Sequence, residues 1–385
     1  MKKSMLRYPA EPRALEYIPE GAVFIDIETT GLKKETDMIS LLGCGTVTDG
    51  LLCIVQWFND DGISEEDILK DFLKFLEKHP GPLITFNGGR FDLPFLRAHL
   101  CYNELVRNQY NCPLLDNRDT LDLYILLRRF APLFSMKKAS QKAWEEHMGI
   151  HRLDTLSGHQ AAVSYREYLR TKKKEYCDPI LDHNAEDIRY LAAIPALLSY
   201  RQFEEGRFSL ESMEEGRIRD RSAILFHIRL ACELYRPLFI ENKRGILSAE
   251  GTDLLLSLPV YEGKMYHYYP DHKDYFYLPA EDRAVHKSIG KYVDPDHRTK
   301  AVKENCYIPV ESVFLPGPWQ KAAYGFNTDP CLPVPAYGLS YEDRADYFNL
   351  DDLLDKGKGR DILNAYLRSQ IQCFFLDRIR REKKK

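Results

Sequence analysis

FIDIETTGL, residues 24–32, sets two carboxylates two positions apart in a strongly β-prone run. Side chains two apart on a strand point to the same face, so Asp26 and Glu28 project together while Ile25 and Ile27 enter a core on the other side. Carboxylates held side by side repel each other unless a cation lies between them. The Thr29-Thr30-Gly31 turn ends the strand and leaves room for another backbone to approach. An Asp-x-Glu pair by itself describes many ordinary edge strands, so its meaning depends on what else the chain carries.

Two further acidic segments follow. TFNGGRFDLPFL, residues 85–96, reads as a strand running through a Gly-Gly loop into a helix, with Asp92 at the helix start. There a carboxylate is equally an N-cap. LDHNAEDIRYL, residues 181–191, places His183 and Asp187 four apart, on one face of a helix. Alone, that pair is also what a solvated polar face looks like.

The chain has 385 residues, 44% hydrophobic and 29% charged, with a formal net charge of −4. Its length favours two domains, and its composition is that of a globular protein. The acidic balance supplies no overall positive field for a nucleic-acid partner, although bound cations would change that balance locally. Basic clusters occur at Arg128-Arg129, Lys137-Lys138 with Lys142, Lys172–Lys174, and from Arg378 to Lys385. No apolar run has the length of a signal peptide or membrane span, and the nine cysteines lack zinc-type spacing. Reduced thiols and a cytoplasmic location are expected.

The first ~205 residues alternate strand-like and helix-like segments, the pattern of an α/β layer fold. Strands are expected at 22–27, 38–47, 51–57 and 82–86, with a tight hairpin at Thr48-Asp49-Gly50. Helices are expected at 63–78, 93–100, 121–130, 141–148 and 184–200, the last kinked at Pro195. From 206 a second, smaller α+β domain is expected. It would have a helical stretch at 217–238, strands over 254–278 with a turn at Glu262-Gly263, irregular sequence to about Tyr347, and a helix at 361–381. MYHYYPDHKDYFYL, residues 265–278, mixes aromatics with His267, His272 and Lys273. That combination suits either sheet packing or a stacking surface for single strands.

Taken in order, these segments resemble the DEDD (DnaQ-like) 3′–5′ exonuclease superfamily, closest to its YprB-like ribonuclease H-like branch. FIDIETTGL, TFNGGRFDLPFL, DTLDLYILLRRF (119–130), WEEHMGIHRLDTLSGHQAAVSYREYL (144–169) and HNAEDIRYL carry the resemblance, over about residues 20–200. It implies a mixed β-sheet flanked by helices, with Asp26, Glu28, Asp92 and Asp187 holding two Mg²⁺ or Mn²⁺ ions for phosphodiester hydrolysis. Hard divalent cations prefer such oxygen donors. His183 stands at the spacing where one subgroup carries tyrosine, and is assigned as the residue that orients or deprotonates the attacking water. Thr29, Asn87 and Arg90 are candidates for touching the terminal nucleotide. Asp119 and Asp122 are structural or supporting candidates, and Arg152 with Asp154 suggests a salt bridge. The expected partner is a nucleic acid, held as a single strand or at a 3′ end. A fold that grips nucleic acid or protein without cutting is the competing expectation, and the presence of all four acids favours the enzyme. DNA and RNA are not distinguishable from these residues.

Overall fold

The computed structural model describes residues 1–106, 112–152, 156–317, 332, 334–342, 347–355 and 360–382. Asp154 and the side chains of the basic run from Arg378 lie outside them. The chain divides into two compact units, Met1–Ser199 and Tyr200–Lys385.

The first unit is built on β1 (Lys2–Pro9), β2 (Val23–Thr29), β3 (Ile39–Thr48), β4 (Leu51–Phe58), α1 (Glu65–Lys78), β5 (Leu83–Thr85) and α2 (Asp92–Tyr102). Then come α3 (Pro113–Asp116), β6 (Thr120–Asp122), α4 (Leu123–Leu127), α5 (Gln141–Met148), α6 (Gly158–Thr171) and α7 (Lys174–Leu191). The six strands form one mixed sheet in the order β1-β4-β3-β2-β5-β6. The β1, β4, β3 and β2 pairings are antiparallel, while β5 runs parallel to both β2 and β6. The β3–β4 hairpin turns on Asp49 and Gly50, both at positive φ, as the sequence suggests for a two-residue turn.

Three layers result. Ile68, Leu69, Phe72 and Leu76 form the buried stripe of α1 and pack with Val23, Ile25, Ile27, Val55 and Trp57 of the sheet. On the other side, Tyr165, Tyr168, Cys177 and Ile180 of α6 and α7 pack on Leu41 and Phe58. The central strand β2 is therefore covered on both faces. The close approach of α7 depends on Gly43, because a Cβ there would collide with the Asn184 and Ile188 side chains.

Several boundaries differ from the sequence reading. The helix expected at 184–200 is α7, which begins ten residues earlier, at Lys174, and carries Pro179 inside. Pro195 lies in a separate 3-10 stretch, Ile194–Arg201. Residues 120–122 form a strand, and the helix after them is only Leu123–Leu127, capped by Asp122 accepting the Tyr124 N–H. The missed β1 is an edge strand of alternating exposure.

The second unit contains α8 (Gln202–Glu205), β7 (Phe208–Ile218), β8 (Arg221–Leu230), β9 (Leu238–Asn242), β10 (Gly245–Glu250) and β11 (Asp253–Pro259). These five strands form an antiparallel sheet in the order β7-β8-β11-β10-β9. The stretch expected to be helical, 217–238, is thus the β7–β8 hairpin and its continuation. Ile224, Phe226, Ile228 and Leu230 are buried at every second position, a strand period rather than a helical one. β12 (Tyr261–Tyr268), β13 (Tyr275–Leu278), β14 (Arg283–His286), α9 (Lys287–Gly290), β15 (Thr299–Lys300), β16 (Tyr307–Pro316), β17 (Ala336–Tyr337) and β18 (Tyr347–Asn349) build two smaller sheets. α10 (Leu350–Leu354) and α11 (Arg360–Glu382) follow. Glu262-Gly263 lies within β12, paired with Val313 and Ser312, and is no turn. The tyrosines of this region pack on one another: Tyr307 meets Tyr266 at 4.7 Å and Tyr268 at 5.4 Å between ring centroids, and its hydroxyl donates to Asp282 at 2.6 Å.

Candidate active site

Three elements deliver the predicted residues to one end of the first sheet. β2 carries Asp26 and Glu28, the start of α2 carries Asp92, and α7 carries His183 and Asp187. Asp92 is the first residue of its helix, and its side chain does not cap it. Instead its Oδ1 accepts the Ile27 N–H across the sheet end at 3.3 Å, which ties the second acidic segment to the first.

His183 is 5% exposed. Its Nε2 lies 3.6 Å from Glu28 Oε1 and 3.4 Å from Asp187 Oδ2. Donor atoms of Glu28, His183 and Asp187 all fall within 4.8 Å of one another. Asp26 stands among the same acids. Burial, followed by the charges of Asp187, Glu28 and Asp92, pushes its carboxyl well above the usual carboxylate range. Burial likewise raises Asp92 to about 7, with Asp122 and Asp187 adding to the rise. These carboxylates are crowded enough to favour protons where no other cation is supplied.

Several residues that hold this arrangement were missed in the sequence. Asn184, next to His183, donates to Asp26 Oδ2 at 2.8 Å and to the Asp26 carbonyl at 3.2 Å. Its own oxygen accepts from Gln56 Nε2 at 2.9 Å, and Gln56 also donates to the Leu181 carbonyl at 2.8 Å. Gly43 on β3 is paired with Asp26 of β2 and Gln56 of β4, so the glycine leaves the gap that Asn184 fills. Only the missing side chain in GCG, residues 43–45, gives a sequence-level hint.

Arg152 is ion-paired, with Glu145 and Asp187; Asp154, named with it in the sequence, lies outside the described residues. Its guanidinium donates to both oxygens of the buried Glu145 at 2.5 Å, and Nη1 lies 2.5 Å from Asp187 Oδ1. Gln141 braces the same group, donating to Glu145 Oε1 at 3.0 Å and to the Asp187 carbonyl at 2.8 Å. One Asp187 oxygen thus faces Arg152 while the other faces His183.

Asp122 accepts the backbone N–H groups of Asn87 at 2.8 Å and Gly89 at 3.3 Å, pinning the loop ahead of Asp92. Asn87 sits at φ +64° within that loop, and Arg90 is exposed on it. The Asp119 carbonyl accepts the Leu83 N–H at 2.9 Å. A cleft of about 470 Å³ opens beside the acids, lined by Glu28, Thr29, Phe91, His183 and Asp187, and by His159 and Arg166 of α6. Asn87 and Arg90 are not among its lining residues. Thr29 closes the turn at its edge by donating to the Gly31 carbonyl at 2.6 Å.

Residues 23–199 match the sequence model of the RNase_H superfamily. The first unit has a ribonuclease H-like fold. The match covers less than half of the chain and leaves the second unit unassigned. No curated protein matches the chain. Among solved structures, one described as the apo form of a nuclease shares 20% identity, covering 50% of this chain and 78% of its own, with a TM-score of 0.32. The family B DNA polymerase of Pyrobaculum calidifontis shares 11%, covering 92% of this chain and 46% of its own, at 0.39. E. coli exonuclease I in complex with a dT13 oligonucleotide shares 13%, covering 60% and 55%, at 0.29. The chain thus spans about half the length of the latter two. The fold assignment rests on the family match and the sheet order, and none of it on these likenesses.

Among the described residues, no helix is long and apolar enough to cross a membrane.

Proposed function

We propose that the first unit is a metal-dependent 3′–5′ exonuclease of the DEDD type, hydrolysing phosphodiester bonds of single-stranded DNA or RNA. One observation carries this reading: carboxylates from three distant segments converge on one sheet end, where burial first, and neighbouring carboxylates second, hold the Asp26 and Asp92 carboxyls above their ordinary range. The donor set fits hard divalent cations such as Mg²⁺ or Mn²⁺, being oxygen-rich with a single imidazole and no thiolate among the predicted ligands. Asp26, Glu28, Asp92 and Asp187 would hold two such ions. When bound, they would supply an acidified water and positive charge for the scissile phosphate.

The chain's own residues would do the rest. Asn184 fixes one Asp26 oxygen, the Ile27 N–H fixes one of Asp92, and Arg152 fixes one of Asp187, so each acid presents its remaining oxygen in a set direction. His183, between Glu28 and Asp187, would orient the attacking water or take its proton. The cleft beside it would take the terminal nucleotide against Thr29.

A non-cleaving binding module is the second reading. It is favoured by the Arg152–Asp187 pair, which already neutralises one of the four acids from within the protein. A strand labelled at its 5′ end, incubated with Mn²⁺, separates the two. An exonuclease of this polarity shortens it stepwise and is stopped by a blocked 3′ terminus, whereas a binding module leaves it intact.

A further inference from the structure

The helix α6 brings His159 and Arg166 to the cleft, and among the described residues neither is paired with an acid. His159, Ala162 and Arg166 follow the spacing i, i+3, i+7, which places them on one helical face. All three line the cleft with Glu28, His183 and Asp187. Arg166 donates to the Thr30 carbonyl at 3.3 Å, two residues beyond Glu28, and makes no ion pair among the described residues. His159 makes no hydrogen bond or ion pair among them either. Both side chains are exposed, and Ala162 between them is buried and small, so nothing bulky separates the two donors on this face. Arg170, one turn further on, is paired with Glu167 at 2.7 Å and is not among the cleft-lining residues.

An acid-lined site that receives a polyanion has an electrostatic problem on its approach side. Carboxylates that serve the reacting phosphate repel every other phosphate of the strand. Cations just beyond the acidic centre remedy this without competing for its ligands. An arginine already steered by a backbone carbonyl, with further donors unspent, is suited to a phosphate oxygen.

We propose that Arg166 and His159 form a phosphate grip on α6, holding the backbone of a single strand one or two phosphates from the acidic centre. The proposal rests on the nuclease reading of the cleft, but only for which phosphates are gripped. Neither residue is assigned a role in bond cleavage.

The test measures binding, not turnover. Fluorescently labelled dT and U oligomers are titrated with the full chain in EDTA, across about 50–200 mM salt. Removing the cation that neutralises one phosphate of a single strand flattens the log–log salt dependence by about 0.7. Arg166→Gln is expected to do so and to weaken binding roughly threefold, with His159→Gln adding a smaller loss. Arg166→Lys keeps the charge and should restore most of the slope. Both positions are exposed, so the variants should keep the wild-type melting temperature. Wild-type affinity and slope in Arg166→Gln and the double variant overturn the grip, as does equal loss in Arg166→Lys and Arg166→Gln, which would assign Arg166 to bracing Thr30. If the wild-type chain binds with the expected slope change in the variants yet cleaves neither oligomer when Mn²⁺ is restored, the grip stands and the nuclease reading falls.

Discussion

Asn184 reaches Asp26 at 2.8 Å from a helix that can lie so close to the sheet only because residue 43 is glycine. The acidic centre is therefore set by packing on the strands beside β2 as well as by the acids themselves. Gly43→Ala puts a methyl group where the Asn184 and Ile188 side chains now sit. Overpacking of this kind costs about 1–3 kcal/mol, so the denaturation midpoint should fall with an unchanged denaturant slope. Because Asn184 is displaced, divalent-cation affinity should fall too. An alanine variant with wild-type stability and affinity would show that α7 is free to shift.

The raised carboxyls give a pH dependence with a definite sign. Asp92 titrates near 7 in the fold, well above its ordinary value, so its protonated form is favoured by the folded state. Its contribution to stability is full below the unfolded-state value near ~4 and is lost as pH rises towards 7. Asp26 is shifted in the same direction. Divalent cations replace these protons, so the melting-temperature gain from Mg²⁺ should grow across pH ~5–7. Asp92→Asn should flatten that growth. A gain independent of pH in the wild-type chain would contradict the assignment.

Glu145 is 1% exposed and depends on Arg152 for its charge partner. Arg152→Met strands that carboxylate as well as releasing Asp187, and breaking a buried pair from one side costs about 3–5 kcal/mol. Adding Glu145→Gln removes the stranded charge and should recover a large part of the loss. A double-mutant cycle on unfolding measures this coupling, and additive losses would show that the two side chains act independently.

His183 stands one turn before Asp187 with Nε2 toward two carboxylates. His183→Ala should lower turnover by roughly 10²–10⁴-fold, the range of a positioned acid–base group. His183→Tyr should regain part of that activity if the site follows the tyrosine-type arrangement. Wild-type turnover and pH profile in the alanine variant would reduce His183 to a packing residue.

The acidic segments were legible because each is local: Asp26 and Glu28 share a strand face by the two-residue period alone, and His183 and Asp187 share a helix face by the four-residue one. What positions them was not. Asn184, Gln56 and Gly43 belong to three separate elements, and apart from the missing side chain in GCG nothing near them in sequence indicates that they meet. The start of α7 was misplaced because the charged run ahead of it, with Pro179, resembles a loop, while the apolar period continues past Leu191 into a 3-10 stretch. At 217–238, isolated apolar residues among charges suggested a helical stripe. The alternation of Ile224, Phe226, Ile228 and Leu230 is the signal that settles it as strand. The aromatic–basic stretch 265–278 was open between packing and stacking, and its tyrosines are engaged with each other.

On the proposed function, the four acids hold the cations on which strand cleavage depends. Single-turnover digestion of a 5′-labelled single strand by the wild-type chain and by Asp26→Asn, prepared identically and supplied with Mn²⁺ or EDTA, tests it most directly. A ladder of shortened 5′-labelled products is expected only from the wild-type chain with Mn²⁺. An intact strand in every lane, or the same ladder from Asp26→Asn, would contradict it.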